Sequence, residues 1–310
     1  MFMSPPIQTC ELTAEGLRSA AHARRTLLSY GSDWKLFAGW CETARLVALP
    51  ASADTVALYL THVLNSGRKI STALRHLASI RFAHREARLA SPCGHDAYEL
   101  LRGAQHLRHE HPNQKAPLSI DQLSLMCAKL GSGAMAARDR AMLLLGFASA
   151  LRRSTLVELD LADLSFEERG VIVRVRFEKQ DQDGVGRTIA VPRGHAGTCA
   201  VLALGEWLRY RGRRAGPLFT GFPGGRQSGI GLRPCAVGRV VKRAVESIGL
   251  DARRYAAHSL RAGFVTEALV HGVNEVVIAA HTGHRSLNTL RLYFRPRDAF
   301  QANACSSMGL

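Results

Sequence analysis

Apolar residues recur at helical spacing along the first 110 residues, and this pattern constrains the fold more than any other feature. The members of one stripe, at i, i+4, i+7 and i+11, are Tyr30, Trp34, Phe37 and Cys41. The members of the next stripe are Val56, Leu60, Val63 and Leu64. The second stripe follows Pro50 and has Ser52 as a candidate N-cap. These stripes predict a cluster of four helices.

The third of these helices is predicted over residues 69–88, and two of its faces differ in character. The face expected to point inward holds Leu74, Leu77 and Ile80. A second face, at i, i+4 and i+7, holds Arg81, Arg85 and Arg88. Two interpretations of this basic face stay open, because it is suited either to a DNA groove or to solvent.

The second half of the chain mixes helical spacing with β-branched runs. Val171–Phe177 and Arg187–Val191 flank a loop with Asp183 and Gly184, which predicts a hairpin, with a third strand near 162–167. Helices are predicted over 119–130, 135–150, 196–213, 236–249, 258–271, 273–281 and 286–294. The expectation is therefore a mostly helical domain with one small sheet.

The segment His106–Pro117 is polar, contains two prolines and lacks an apolar period, so we predict a linker there. The predicted divisions are an N-terminal extension, a helical domain, a linker, a second domain and a tail. Their bounds are 1–17, 18–108, 109–117, 118–295 and 296–310.

The charge balance indicates a polyanionic partner. Lys and Arg number 41 against 25 Asp and Glu, which gives a net charge of +16. Only six of the 41 are lysines, and an excess of arginine favours bidentate contacts with phosphate.

Several classes of protein are disfavoured by what the sequence lacks. The longest apolar stretch, Ala141–Leu151, is too short to span a membrane, and residues 1–25 lack the apolar core of a secretory signal. The seven cysteines form no C-x-x-C pair, and the glycine-rich segment Gly221–Gly231 matches no nucleotide-binding motif. Carboxylates are sparse near the basic segments, which disfavours a two-metal nuclease. We expect a soluble, cytoplasmic protein that needs no cofactor or metal ion.

Five short elements occur in order along the second half. They are Arg152 in the segment Ala150–Leu156, Lys179 in the hairpin, His258–Arg261, Gly283–His284 and Tyr293, nine residues after His284. Their order and spacing resemble those of the tyrosine recombinase (phage integrase) family. The likeness extends to the helical first half, which is similar to the core-binding domain of that family.

The resemblance implies a mainly α fold, with a helical core-binding (SAM-like) N-terminal domain. The second domain would be a mixed, mostly helical catalytic domain with a small antiparallel β-sheet. The resemblance also implies a site-specific recombinase that cleaves and rejoins DNA through a 3′-phosphotyrosyl intermediate, without metal or ATP. Such enzymes integrate, excise or resolve DNA elements. Tyr293 would be the nucleophile, Lys179 the general acid, and His284 a hydrogen-bond donor to the phosphate.

The residue types suit this chemistry on physical grounds. Attack on a phosphodiester increases the negative charge on the non-bridging oxygens, which Arg152 and Arg261 can stabilise. His258 and Arg261 are three residues apart at a predicted helix start, so they project from one face. The imidazole can accept a proton near neutral pH. His281, one turn before His284, is expected at the surface.

DNA with a specific recombination site is the expected partner, bound by a homo-oligomer with a dimer on each site and a tetramer in the synapse. No membrane partner is expected. The side chains predicted to contact DNA are Arg81, Arg85, Arg88, Arg239, Lys242 and Arg243.

One position departs from the family pattern. Thr155 stands where the family usually has an acidic residue that braces the first arginine, and Glu158 or Asp160 could substitute for it. This departure leaves a catalytically weak DNA-binding protein open as an alternative. A type IB topoisomerase-like nickase and a tyrosine transposase are two further alternatives.

Overall fold

The computed structural model describes residues 24–109, 114–176, 186–291 and residue 293. The chain divides into two compact units between Asn113 and Gln114, inside the predicted linker. Among the described residues, no helix is long and apolar enough to cross a membrane.

The first unit has four helices in its described part, as predicted. They are α1 (Arg24–Ala44), α2 (Ala53–Asn65), α3 (Ile70–Glu86) and α4 (His95–Arg108). Helix α2 begins where Ser52 accepts a hydrogen bond from the backbone N–H of Thr55, so the predicted N-cap is confirmed. The predicted stripes supply the core through Phe37, Cys41, Val56, Leu60, Val63 and Leu64, all of which are buried.

One expectation for the inward face of α3 is wrong. Leu77 and Ile80 are buried, but Leu74 is 43% exposed. Buried histidines occupy the inward face instead: Nδ1 of His76 lies 2.8 Å from the Tyr59 hydroxyl, and Nε2 of His84 accepts from the backbone of a neighbouring segment. Because polar partners are supplied inside the unit, these rings can be buried in place of a leucine.

The second unit combines helices with one three-stranded antiparallel sheet, which confirms the predicted mainly α fold with a small sheet. The helices are α5 (Ile120–Lys129), α6 (Ala134–Ala148), α7 (Arg153–Glu158), α8 (Ala200–Arg211), α9 (Cys235–Glu246), α10 (His258–Val270), α11 (Glu275–Thr282) and α12 (Leu287–Arg291). The strands are β1 (Leu164–Glu167), β2 (Gly170–Val175) and β3 (Arg187–Pro192). Helix α7 was not predicted, because six residues are too few to show a helical period.

The sheet has the order β1-β2-β3, with β2 in the centre. Val173 faces Leu164 on one side and Ile189 on the other. Val171, Val173, Val175, Ile189 and Val191 turn into the core. The predicted hairpin and third strand are confirmed. The segment 177–185, which includes Lys179, lies outside the described residues.

Helix α10 is packed tightly against the chain that leads into α5. A Cβ built on Gly263 would lie 2.1 Å from the carbonyl oxygen of Leu118, and the N–H of Leu118 donates to the carbonyl of Ser259 at 3.1 Å. Only glycine allows this approach. The contact fixes the first turn of α10, where His258 and Arg261 stand.

Candidate active site

Arg261 is the buried cation of the site. The side chain lies on the first turn of α10 and is only 1% exposed. Its Nη1 donates to the carbonyl oxygens of Ala150 at 2.8 Å and Thr282 at 2.7 Å. Its Nη2 lies 3.0 Å from Nε2 of His284. The guanidinium is therefore held by groups from two other segments, the turn at Ala150 and the stretch 282–284.

The carbonyl of Ala150 reaches Arg261 because the chain takes an unusual turn between α6 and α7. Ala150 has a φ of 49°, in the left-handed region that residues with a side chain rarely adopt. The turn ends at Arg152, the N-cap residue of α7, whose side chain is partly buried. Arg152 thus lies two residues after Ala150, whose carbonyl oxygen binds Arg261.

His284 follows the C-terminus of α11. Gly283 ends that helix in the left-handed conformation with a φ of 69°, so the chain changes direction immediately before His284. Nδ1 of His284 lies 2.6 Å from Oγ1 of Thr282. Burial and then the positive charges of Arg261 and Arg152 lower the pKa of His284 to about 4, so the ring is neutral at pH 7.

Tyr293 lies in the same cluster. Its hydroxyl is 2.9 Å from Nε2 of His258, an exposed residue at the start of α10. The Tyr293 ring also lies 5.3 Å from the His284 ring, centroid to centroid. Oγ1 of Thr266 donates to the carbonyl oxygen of Tyr293 at 2.9 Å. The candidate nucleophile thus contacts the histidine of the His258–Arg261 motif within one protomer.

The structure brings together five of the six predicted catalytic residues: Arg152, His258, Arg261, His284 and Tyr293. The sixth, Lys179, lies outside the described residues. In the residues that the structure covers, no group of three or more His, Cys, Asp or Glu side chains could hold a metal ion.

Three residues that contact the site residues or their backbone were not predicted from the sequence. Thr282 and Thr266 contact His284 and Tyr293, as described above. Arg187, at the start of β3, donates through Nη1 to the carbonyl of His281 and through Nη2 to that of Thr282 at 3.3 Å. No motif marks these residues, since they act on neighbouring backbone and side chains.

The expected surface position of His281 is wrong. Its ring is partly buried and stacks on Phe264, with 4.6 Å between the centroids. Its Nε2 lies 2.9 Å from the carbonyl oxygen of Ala148, the last residue of α6. His281 therefore joins α11 to α10 and α6.

A carboxylate pair lies near Thr155, which is buried. Asp160 accepts from Arg176 at 2.8 Å, and the buried Asp163 accepts from the same guanidinium at 2.6 and 2.7 Å. This pairing lowers the pKa of Asp163 against the opposing effect of burial. Asp160, one of the carboxylates expected to compensate for Thr155, is thus bound to Arg176.

The six predicted DNA-contacting side chains are all exposed. Arg81 and Arg85 lie on α3, and the guanidinium of Arg85 covers the Phe82 ring at 5.1 Å. Arg88 does not share their helical face as predicted, because α3 ends at Glu86 and Arg88 has a φ of 57°.

The remaining three, Arg239, Lys242 and Arg243, lie on α9. Nη2 of Arg243 donates to the buried carboxylate of Asp139 at 2.8 Å, and Asp139 is also bound by Arg138. Arg243 therefore has a structural contact in addition to any contact with DNA.

Comparisons with known proteins support the resemblance. Residues 117–299 match the phage integrase family. A Selenomonas ruminantium protein described as an integrase/recombinase xerD homolog is 32% identical over 306 residues, covering 96% of this chain and 89% of the relative. Tyrosine recombinase XerD of Mycobacterium tuberculosis is 31% identical over 229 residues, covering 72% of this chain and 68% of the relative.

Solved structures show the same fold at lower identity. The Tn1549 transposon integrase in complex with circular intermediate DNA has a TM-score of 0.67 at 17% identity, covering 96% of this chain and 98% of that one. A lambda integrase dimer bound to a COC′ core site has a TM-score of 0.63 at 18% identity, covering 92% and 93%. The mainly α fold with a small sheet is thus shared with DNA recombinases. Motif order, cluster geometry and relatives agree that this chain belongs to the phage integrase family and is a tyrosine-type site-specific recombinase.

Proposed function

We propose that this recombinase cleaves DNA by attack of the Tyr293 hydroxyl oxygen on a phosphodiester. A bond forms between that oxygen and phosphorus, and the bond from phosphorus to the 5′ oxygen breaks, which leaves a 3′-phosphotyrosine. The phenolic proton passes to Nε2 of His258, and the leaving 5′ oxygen takes a proton that we assign to Lys179. Attack by a free 5′ hydroxyl reverses the steps and rejoins the strand.

The contact of 2.9 Å between the Tyr293 hydroxyl and Nε2 of His258 carries this proposal. Nucleophile and base are at hydrogen-bond distance from each other. Arg152 and Arg261 supply the positive charge that meets the developing charge on the phosphate oxygens. The resemblance gives His284 a hydrogen bond to the phosphate, but its contact with Nη2 of Arg261 supports a role in holding that guanidinium.

DNA is the partner, and we assign residues 18–108 to core binding and residues 118–295 to catalysis. The exposed arginines of α3 and the basic residues of α9 are the proposed phosphate contacts. Binding should weaken steeply with salt, since each phosphate contact adds about 0.9 to the log–log slope. A flat salt response would contradict electrostatic binding.

We further propose a dimer on each site and a tetramer in the synapse. The relatives named above are bacterial, and the proposed location is the cytoplasm, where bacterial DNA is found. Band-shift titration on DNA with one and with two half-sites counts the protomers. One protomer on a full site would refute the dimer.

The decisive experiment captures covalent adducts. The protein is incubated with sheared DNA from its source, denatured in detergent, and the protein-linked fragments are sequenced. Tyr293→Phe removes one hydroxyl and should abolish the adduct while leaving DNA binding nearly intact. Tyr210→Phe, the same change at an exposed tyrosine of α8, is the matched control and should behave as wild type.

The pattern of adducts separates the remaining interpretations. Adducts at one recurring site that disappear with Tyr293→Phe would support the recombinase and identify its target. Adducts at scattered sites would favour a topoisomerase-like nickase. Specific binding without an adduct would indicate a DNA-binding protein, and adducts retained in Tyr293→Phe would refute Tyr293 as the nucleophile.

A further inference from the structure

Thr282 is a buried threonine that contacts several residues of the active site. It is the last residue of α11 and has no exposed surface. Its carbonyl oxygen accepts from Arg261 and Arg187. Its hydroxyl lies 2.7 Å from the carbonyl oxygen of Ile278 and 2.6 Å from Nδ1 of His284. One residue thus contacts both the buried cation and the histidine beside it.

The direction of each hydrogen bond follows from the atoms involved. A guanidinium can only donate, so Nε2 of His284 accepts from Arg261 and carries no proton. A carbonyl oxygen can only accept, so the Thr282 hydroxyl donates to Ile278. The Thr282 oxygen is then the acceptor for Nδ1 of His284, and the neutral ring carries its proton there.

We propose that Thr282 is a positioning residue for strand cleavage: its hydroxyl holds His284 as the Nδ1–H tautomer, so that Nε2 orients Arg261 towards the phosphate. The inference rests on the proposed role of Arg261 at the scissile phosphate. Thr282 acts through His284 and does not contact the substrate itself.

The side chain at this position can be changed with little change in size. Thr282→Val keeps the shape but removes the oxygen, so a partly buried Nδ1–H would lose its acceptor. The ring must then rotate or share its proton between the two nitrogens, and the contact between Nε2 and Arg261 is weakened. Thr282→Ser keeps the oxygen and should restore the wild-type arrangement.

The tautomer can be measured without DNA. Two-bond ¹H–¹⁵N spectra of ¹⁵N-histidine-labelled protein distinguish protonated from unprotonated ring nitrogens. His84 is an internal reference for the Nδ1–H form, because its Nε2 accepts from the N–H of Ala51 at 2.9 Å. We expect His284 to match His84 in the wild type and in Thr282→Ser, and to lose that pattern in Thr282→Val. An unchanged pattern in Thr282→Val would overturn the proposal.

Cleavage of a nicked suicide duplex, carrying the site recovered by adduct sequencing, tests the effect on the reaction. Thr282→Val should form the Tyr293 adduct about tenfold more slowly, the equivalent of one hydrogen bond, whereas Thr282→Ser should stay within about threefold. Rates are taken well below each melting temperature, with DNA binding measured in parallel. If Thr282→Val changes the tautomer but cleaves at the wild-type rate, the positioning role is refuted and the proposed function stands. If the wild type forms no adduct, the proposed function fails, and the positioning role fails with it.

Discussion

Replacing Arg261 with lysine tests how much the second unit depends on a buried guanidinium. Lysine keeps the charge but loses the fork that binds the carbonyls of Ala150 and Thr282 together with His284. Hydrogen bonds to a charged donor contribute about 1.5–3 kcal/mol each, and an ammonium can keep at most one or two of the three. Thr282 still accepts from Arg187, which offsets part of the loss. The free energy of unfolding should therefore fall by about 2–4 kcal/mol.

In a unit of this size, each kcal/mol shifts the melting temperature by about 2–4 °C, so a decrease of about 4–16 °C is expected. The second unit contains one of the three tryptophans, Trp207, which is fully buried. In a background with Trp34 and Trp40 replaced by phenylalanine, its fluorescence follows this unit alone. Arg253→Lys, at a 92% exposed side chain, is the control and should melt with its parent. If Arg261→Lys also melts within about 2 °C of the parent, the buried contacts do not stabilise the unit as argued.

Two further predictions concern packing and pH. Gly263→Ala places a methyl group 2.1 Å from the carbonyl oxygen of Leu118 and should cost about 3 kcal/mol in thermal unfolding. Gly205→Ala, with open space around its Cβ on α8, should stabilise by about 0.5–1 kcal/mol; equal effects would refute the packing argument. The pKa of His284 is lowered to about 4 in the folded state, whereas the unfolded chain binds this proton near pH 6.5. Between these two pH values the unfolded state therefore holds more protons than the folded state. This contribution to stability is complete above about pH 6.5 and is lost as the pH falls towards 4. Over this range the melting temperature should therefore fall less in His284→Asn than in the wild type. An equal fall in both proteins would contradict the lowered pKa of His284.

Much of the fold could be predicted from the sequence, because its signals are local. The helical stripes place Phe37 and Val56 in the core of the first unit, and the β-branched run around Val173 forms the central strand. Ser52 caps the helix that follows it. The spacing from His284 to Tyr293 brings both side chains into one cluster. In each case the signal lies within one short stretch of the chain.

The errors arise where a distant partner decides the outcome. His281 is partly buried and stacks on Phe264, and His76 takes an inward position because its ring contacts the Tyr59 hydroxyl. The sequence around Arg243 does not indicate that its guanidinium binds the buried carboxylate of Asp139. Thr282 has no sequence signal, since its role depends on atoms that three segments bring together. Such contacts become visible only in three dimensions.

The contacts of Arg261 also explain how this site directs a buried cation. Arg138 and Arg176 each bind carboxylates, which fix the side chain and offset its positive charge. Arg261 is bound by the carbonyl oxygens of Ala150 and Thr282 and by a neutral imidazole. Carbonyl dipoles set the direction of the guanidinium, and its positive charge can stabilise a phosphate that gains negative charge during attack. The left-handed turn at Ala150 then has a clear purpose, because it aims one of those carbonyls at the cation.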